Sequence, residues 1–136
     1  MILNKTTSYA IKILLLMAAK PSESFTAKQL HEELGINNRY LRKILTSFTK
    51  CKLIKSNRGK NGGFVLAKSI DKITISEIID KVEGLEKFET CLLGNSDCNY
   101  DKPCEMHNLF EDIKEKMIKT FSETTLKDIK EKSSSN

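Results

Sequence analysis

Hydrophobic positions recur at three- and four-residue spacing through most of this chain, the period of helices that bury one face. Tyr9, Ala10, Ile13, Leu14, Leu16 and Met17 form the first such stripe, which predicts a helix over residues 7–19 ended by Lys20-Pro21. After a polar loop, Thr26 is placed to cap A-K-Q-L-H-E-E-L, with Gly35 as its stop. Asn37 or Asn38 then opens R-Y-L-R-K-I-L-T-S-F-T-K-C. There Leu41, Ile44, Leu45 and Phe48 share one face, and Arg39, Arg42, Lys43 and Thr46 fall mainly on the other. The period changes next: residues 53–56 and 64–67 are short strand candidates around the basic, glycine-rich N-R-G-K-N-G-G. Residues 73–82 return to helical spacing, with Thr74 or Ser76 as cap and Gly84 as stop.

Beyond residue 104 a long helix is expected, on which Met106, Phe110, Ile113, Met117 and Phe121 form a stripe widened by Leu109 and Ile118. One helix cannot bury such a face alone, and a two-fold seam with a second copy accounts for it. Thr124 or Thr125 is placed to cap a last turn before a frayed S-S-S-N tail. The fold class expected is mainly α: a winged helix-turn-helix head with a small β-hairpin wing, plus a long C-terminal dimerisation helix. Residues 1–84 would form the DNA-binding domain, 85–104 a cysteine-rich loop, and 105–136 the dimerisation helix and flexible tail. Two helices joined by a short glycine-containing turn, the second basic outside, are the helix-turn-helix pattern, and the hairpin after them supplies the wing. Asn37, Asn38, Arg39, Tyr40, Arg42 and Lys43 stand where a recognition helix reaches base edges and phosphates, Arg suiting guanine and Asn adenine.

Charge separates the halves of the chain. Residues 1–68 carry 13 Lys/Arg against 3 Asp/Glu, whereas residues 69–136 carry 10 against 15. A basic half joined to an acidic half points to a polyanion as the partner of the first. The opening M-I-L-N-K-T-T has no apolar leader core, and no run approaches the ~20 apolar residues of a membrane span. A cytoplasmic protein without membrane contact is expected. Enzyme classes find no support: R-G-K-N-G-G lacks the phosphate-loop spacing, and no paired carboxylates or Ser-His-Asp pattern stand out.

The chemistry concentrates at C-x6-C-x5-C-x2-H, formed by Cys91, Cys98, Cys104 and His107. Gly94, Asn95, Asp97, Asn99, Asp101 and Pro103 make the stretch a loop. Thiolates and an imidazole gathered on a loop suit a soft transition metal. Three readings stay open from spacing alone: an iron–sulfur cluster, a structural zinc ion, and thiol redox switching. Cys51 is expected to be a buried packing residue, and His31 a surface or boundary histidine.

Four segments carry a family resemblance: L-N-K-T-T-S-Y-A, G-I-N-N-R-Y-L, R-G-K-N-G-G-F-V-L and the three-cysteine loop ending C-E-M-H. Together, through about residue 130, the chain resembles the Rrf-two family of bacterial winged-helix regulators, most of all its IscR branch. The resemblance implies a 2Fe–2S cluster on Cys91, Cys98, Cys104 and His107, although six residues rather than five separate the first two cysteines here. It implies a minor-groove role for Arg58, with Lys60 and Asn61 beside it on the DNA backbone. Arg42 stands where the IscR branch has a carboxylate that filters promoters. The NsrR branch, with a 4Fe–4S cluster and an acidic residue from the partner's N-terminal helix, is the alternative, and Asn4 to Tyr9 contain no carboxylate. Ligation would order residues 88–104 and set the spacing of two heads on a pseudo-palindromic operator. Expected partners are thus double-stranded operator DNA, a second copy of the chain, and RNA polymerase at regulated promoters.

Overall fold

A computed structural model describes residues 3–91, 93–95, 98 and 101–134. Asp97, Asn99 and Tyr100 of the loop, and the last two residues of the serine-rich tail, lie outside the described residues. Helix α1 (Lys5–Ala19) begins two residues before its hydrophobic stripe, because the Asn4 side chain accepts the Thr7 N–H at 2.8 Å. Helix α2 (Ala27–Leu34) opens in a capping box: Thr26 Oγ1 accepts from the Gln29 N–H at 3.1 Å, and Gln29 Oε1 accepts from the Thr26 N–H at 2.8 Å. Gly35 ends it at φ 66°, where a side chain would be strained. His31 Nδ1 lies 2.5 Å from the Ile36 carbonyl, so a protonated Nδ1 ties α2 to the turn that follows. Helix α3 (Asn38–Lys50) is capped by Asn37, whose side chain accepts from the Tyr40 N–H at 3.2 Å. Leu41, Ile44, Leu45 and Phe48 are all buried, as the pattern requires.

Strands β1 (Ile54–Asn57) and β2 (Gly63–Leu66) pair antiparallel, with Ile54 opposite Leu66 and Asn57 opposite Gly63. Both are shifted by one residue from the alternation in the sequence. The cause lies at the end of α3: Lys52 turns the chain at φ 62° and Leu53 bonds back to the Phe48 carbonyl at 2.9 Å, so ladder pairing starts at Ile54. Phe25 extends the hairpin by pairing with Phe64 through bonds of 2.7 and 2.9 Å. A Cβ on Gly63 would stand 2.7 Å from the Phe25 oxygen, so this close approach admits only glycine.

Helix α4 (Ile75–Val82) starts after Thr74, whose hydroxyl accepts the Glu77 N–H at 3.1 Å. Ile73 precedes the helix rather than opening it, because its carbonyl is taken by the Leu126 N–H at 3.0 Å. A short 3-10 turn, Glu86–Phe88, leads toward the cysteines, and helix α5 (His107–Glu123) leads away from them. The chain then returns. Thr125 bridges to Thr74, and helix α6 (Leu126–Ser134) lies against α1. The expected last turn is therefore a docked nine-residue helix. Its fully buried Leu126 joins Leu14, Met17, Leu30, Phe48 and Ile79 in one core. That core crosses the boundaries expected at residues 84 and 104, since Met117, Ile118 and Phe121 of α5 also pack against it.

Leu126→Ala removes a buried side chain from this closure and is expected to destabilise the protein by about 2–5 kcal/mol. Urea unfolding followed by circular dichroism measures it. A change within experimental error would mean that α6 contributes no packing to the head.

Candidate metal centre and nucleic-acid interface

The amphipathic split of α3 leaves Asn38, Arg39, Arg42 and Lys43 exposed, while its opposite face is locked into the core. Asn37 is exposed too, with its side-chain oxygen committed to the helix cap. Arg58, Lys60 and Asn61 are exposed in the turn between β1 and β2. Gly62 shapes that turn: a Cβ there would meet the Gly59 oxygen at 2.8 Å and the Asn57 oxygen at 2.9 Å. Tyr40 behaves differently from its neighbours. It is half-buried, its hydroxyl is hydrogen-bonded to Thr6, and its ring stands edge-on to Tyr9 at 5.7 Å. Tyr40 thus braces α3 on α1.

The three loop cysteines converge, with Sγ atoms within 4.8 Å of one another. Cys91 Sγ lies 3.4 Å from Cys104 Sγ, and Cys98 Sγ lies 3.5 Å from His107 Nδ1. The Cys104 N–H also points at Cys98 Sγ, 3.3 Å away. Local chemistry produces this convergence. Gly94 takes φ 76° and its N–H bonds to the Cys91 carbonyl at 3.0 Å, while Cys98 bonds to the Asn95 carbonyl at 3.2 Å. His107 occupies the first turn of α5, its N–H bonded to the Cys104 carbonyl at 3.1 Å.

The donor set fits a metal group. Sulfurs bound to one tetrahedral zinc at ~2.3 Å would stand ~3.8 Å apart, close to the separations here. Thiolates and imidazole are also the donors iron–sulfur clusters take. Glu111, one helical turn after His107, lies 3.9 Å from its Nε2 and is itself paired with Lys114 at 3.2 Å. A carboxylate behind a ligating histidine fixes its tautomer and orientation. The sequence carries a signal for Glu111 only in its four-residue spacing from His107, a spacing shared by many helical pairs. A cavity of about 280 Å³ between the cysteines and α5 is lined by Phe88, Cys91, Cys98, His107, Glu111 and Lys114, among others.

The helical stripe divides along α5. Phe121 meets Phe88 edge-on at 5.7 Å, and Met117 touches the core. Met106 and Phe110 are half-buried, whereas Ile113 is 49% exposed and Leu109 64% exposed. The end of α5 nearest the cysteines therefore presents apolar surface to the outside. Leu93, in the loop, is 55% exposed.

The fold and loop together define a winged helix-turn-helix protein with a cysteine-rich site. The family model described as "Iron-dependent Transcriptional regulator", Rrf2, matches residues 3–132. The chain belongs to the Rrf2 family of transcriptional regulators. A protein of Aquifex aeolicus (strain VF5), provisionally named an HTH-type transcriptional regulator, is 33% identical over 131 residues, covering 95% of this chain and 91% of that one. The HTH-type transcriptional regulator NsrR of Oceanobacillus iheyensis is 30% identical over 132 residues, covering 93% and 88%. Among solved structures, CymR, the global cysteine regulator of B. subtilis, superposes with a TM-score of 0.79 at 23% identity, covering 95% of both chains. IscR of T. potens gives 0.75 at 21% identity, covering 96% of this chain and 87% of the other. The likeness to those structures supports the winged-helix fold. Family membership makes the chain a transcriptional regulator and not an enzyme. No helix among the described residues is long and apolar enough to cross a membrane.

The thiols are not equivalent. The Asn95 backbone N–H, followed by that of Leu93, pulls the Cys91 thiol down to about 7 against partial desolvation. The bond shared with Cys91 pushes Cys104 up. In metal-free protein at pH 7, roughly half of Cys91 is therefore thiolate, the nucleophilic form. Iodoacetamide is expected to label Cys91 well before Cys104, slowing about tenfold per pH unit below about pH 6. Peptide mass spectrometry reads the two sites separately, and equal labelling across this range would contradict the asymmetry.

Proposed function

We propose that the chain is an iron–sulfur-dependent regulator of the IscR type, acting in the cytoplasm as a homodimer on pseudo-palindromic operator DNA. Cys91, Cys98, Cys104 and His107 would hold a 2Fe–2S cluster. The observation that carries this reading is the convergence of four soft donors, three cysteine sulfurs within 4.8 Å of one another and the His107 Nδ1 3.5 Å from Cys98 Sγ. A 2Fe–2S centre takes four protein ligands of this kind, which is the number and type of donors gathered here. When bound, such a group supplies one-electron chemistry and sensitivity to oxidants or nitric oxide.

The chain's own residues do the rest. A group held by these residues would tie Cys91, just past the turn after α4, to His107 at the start of α5. It would thereby fix how α5 leaves the head. Leu109, Phe110 and Ile113, with Met106, form the outward part of the seam with a second copy; Met117 and Phe121 anchor the same helix to its own head. Two heads joined through α5 address two half-sites, whose separation must match the helical repeat of DNA. Asn38, Arg39, Arg42 and Lys43 enter the major groove, with Asn37 and Tyr40 setting the start of the helix. Arg58 reaches the minor groove, and Lys60 and Asn61 hold the backbone. RNA polymerase is a further partner at regulated promoters.

A second reading has its own support, in the 30% identity to a relative named NsrR: a 4Fe–4S centre in place of the 2Fe–2S one. A structural zinc ion is the third, favoured by three sulfurs within 4.8 Å of one another.

Iron, sulfide and zinc content of anaerobically purified protein separates these readings. Two irons and two sulfides per chain are expected, and Cys98→Ala should lose both. Four irons point to the NsrR-like centre, whereas one zinc without iron withdraws cluster sensing. On DNA, Arg39→Ala should relax base preference at one position by about 1–3 kcal/mol, while Lys60→Ala weakens all sequences alike and reduces the salt slope by about one. Binding titrations at several salt concentrations check both. Identical effects of the two changes would place α3 on the backbone rather than on the bases.

A further inference from the structure

Glu83 is an acidic residue that the helix-turn-helix does not need, yet its side chain is only 6% exposed. Carboxylates are seldom buried to this extent without partners, because desolvation disfavours the charge. Its two oxygens face two different parts of the chain. Oε1 lies 3.0 Å from Lys87 Nζ, in the segment that runs on to Cys91. Oε2 accepts the Asn4 N–H at 3.1 Å, at the start of α1.

Each end of this bridge continues. Asn4 caps α1, and two residues further on Thr6 holds the Tyr40 hydroxyl of α3. Lys87 precedes the buried Phe88, which packs against Phe121 of α5, the helix that His107 begins. Two polar contacts of Glu83, the backbone from Asn4 to Thr6 and the Thr6–Tyr40 bond thus connect the segment entering the cysteine loop with α3.

We infer that Glu83 is a positioning residue: through Lys87 on one side and Asn4 on the other, it transmits the ligation state of the cysteine loop to α3. This rests on the proposed function, because it assumes that ligation at the cysteines alters DNA binding. A shift of residues 85–91 on ligation pulls on the Glu83 carboxylate. That carboxylate holds the backbone N–H of Asn4, the residue that caps α1 two positions before the Thr6–Tyr40 brace. Contiguity alone does not establish coupling, which has to be measured as a change in one site's affinity on altering the other. A merely structural role, satisfying an unpaired N–H at the start of α1, would alter stability in both states equally.

The test uses full-length wild type, Glu83→Gln and Lys87→Met, each loaded anaerobically or stripped by chelator. The DNA is a duplex selected by loaded wild type from a random-sequence pool. Glu83→Gln keeps an acceptor for Asn4 but loses the charge that holds Lys87. Lys87→Met keeps the aliphatic stem, changes a surface position, and guards against a folding defect in the first variant. The two forms of wild type are expected to differ about tenfold or more in Kd, within the usual range of such couplings. In both variants that ratio should fall to about threefold or less, with unchanged metal content and unchanged Kd of the stripped form. Variants that retain the wild-type ratio overturn the link while leaving metal sensing intact. Equal affinity of the two wild-type forms overturns both.

Discussion

Everything in this molecule hangs on the burial of α1. Ala10, Ile13, Leu14, Met17 and Ala18 have essentially no exposed surface, and α2, α4, α6 and the second strand of the wing all lie against this helix. Two of the five are alanines, whose small side chains let neighbouring backbones come close without leaving voids. Thr7 is buried among them as well. A helix so enclosed cannot shift for one neighbour without disturbing the others. Helix α3, braced on α1 through Tyr40, the return helix α6 and helix α4 therefore share one reference frame.

Helix signals in the sequence were legible where caps and stripes agreed. Thr26, Gln29 and Gly35 delimit α2 by chemistry that acts within a few residues, so the element could be placed without tertiary knowledge. The buried face of α3 was equally plain, because four apolar residues at helical spacing have one place to go. Legibility failed where distant segments decide the outcome. Ile73 reads as the first residue of a helix, yet it pairs with the segment after α5. The C-terminal helix read as a brief turn, because its weakly apolar pattern gains its partner only when Thr125 meets Thr74.

The candidate site was half legible for the same reason. Four soft donors within a short span announce themselves in any sequence, and the three sulfurs do converge. Tyr40 did not announce its role: a tyrosine among basic residues resembles a base contact, and only the position of Thr6 turns it inward. Glu83 and Glu111 are two of many acidic residues in the second half. Their partners, the Asn4 amide and the His107 ring, are a matter of geometry.

The pairing of Phe25 with Phe64 has a wider consequence. It stitches the stretch before α2 to the second strand of the wing by two main-chain bonds, while Gly63 lets the two backbones touch. Because α2 also packs on α3, helix and wing form one stiff stamp, cut to a single profile. Under the proposed function such a stamp cannot loosen its grip finger by finger. Control then acts on the stamp as a whole: on how it is set against the helices behind it, and on whether two of fixed shape fall in step with the turns of the duplex beneath them.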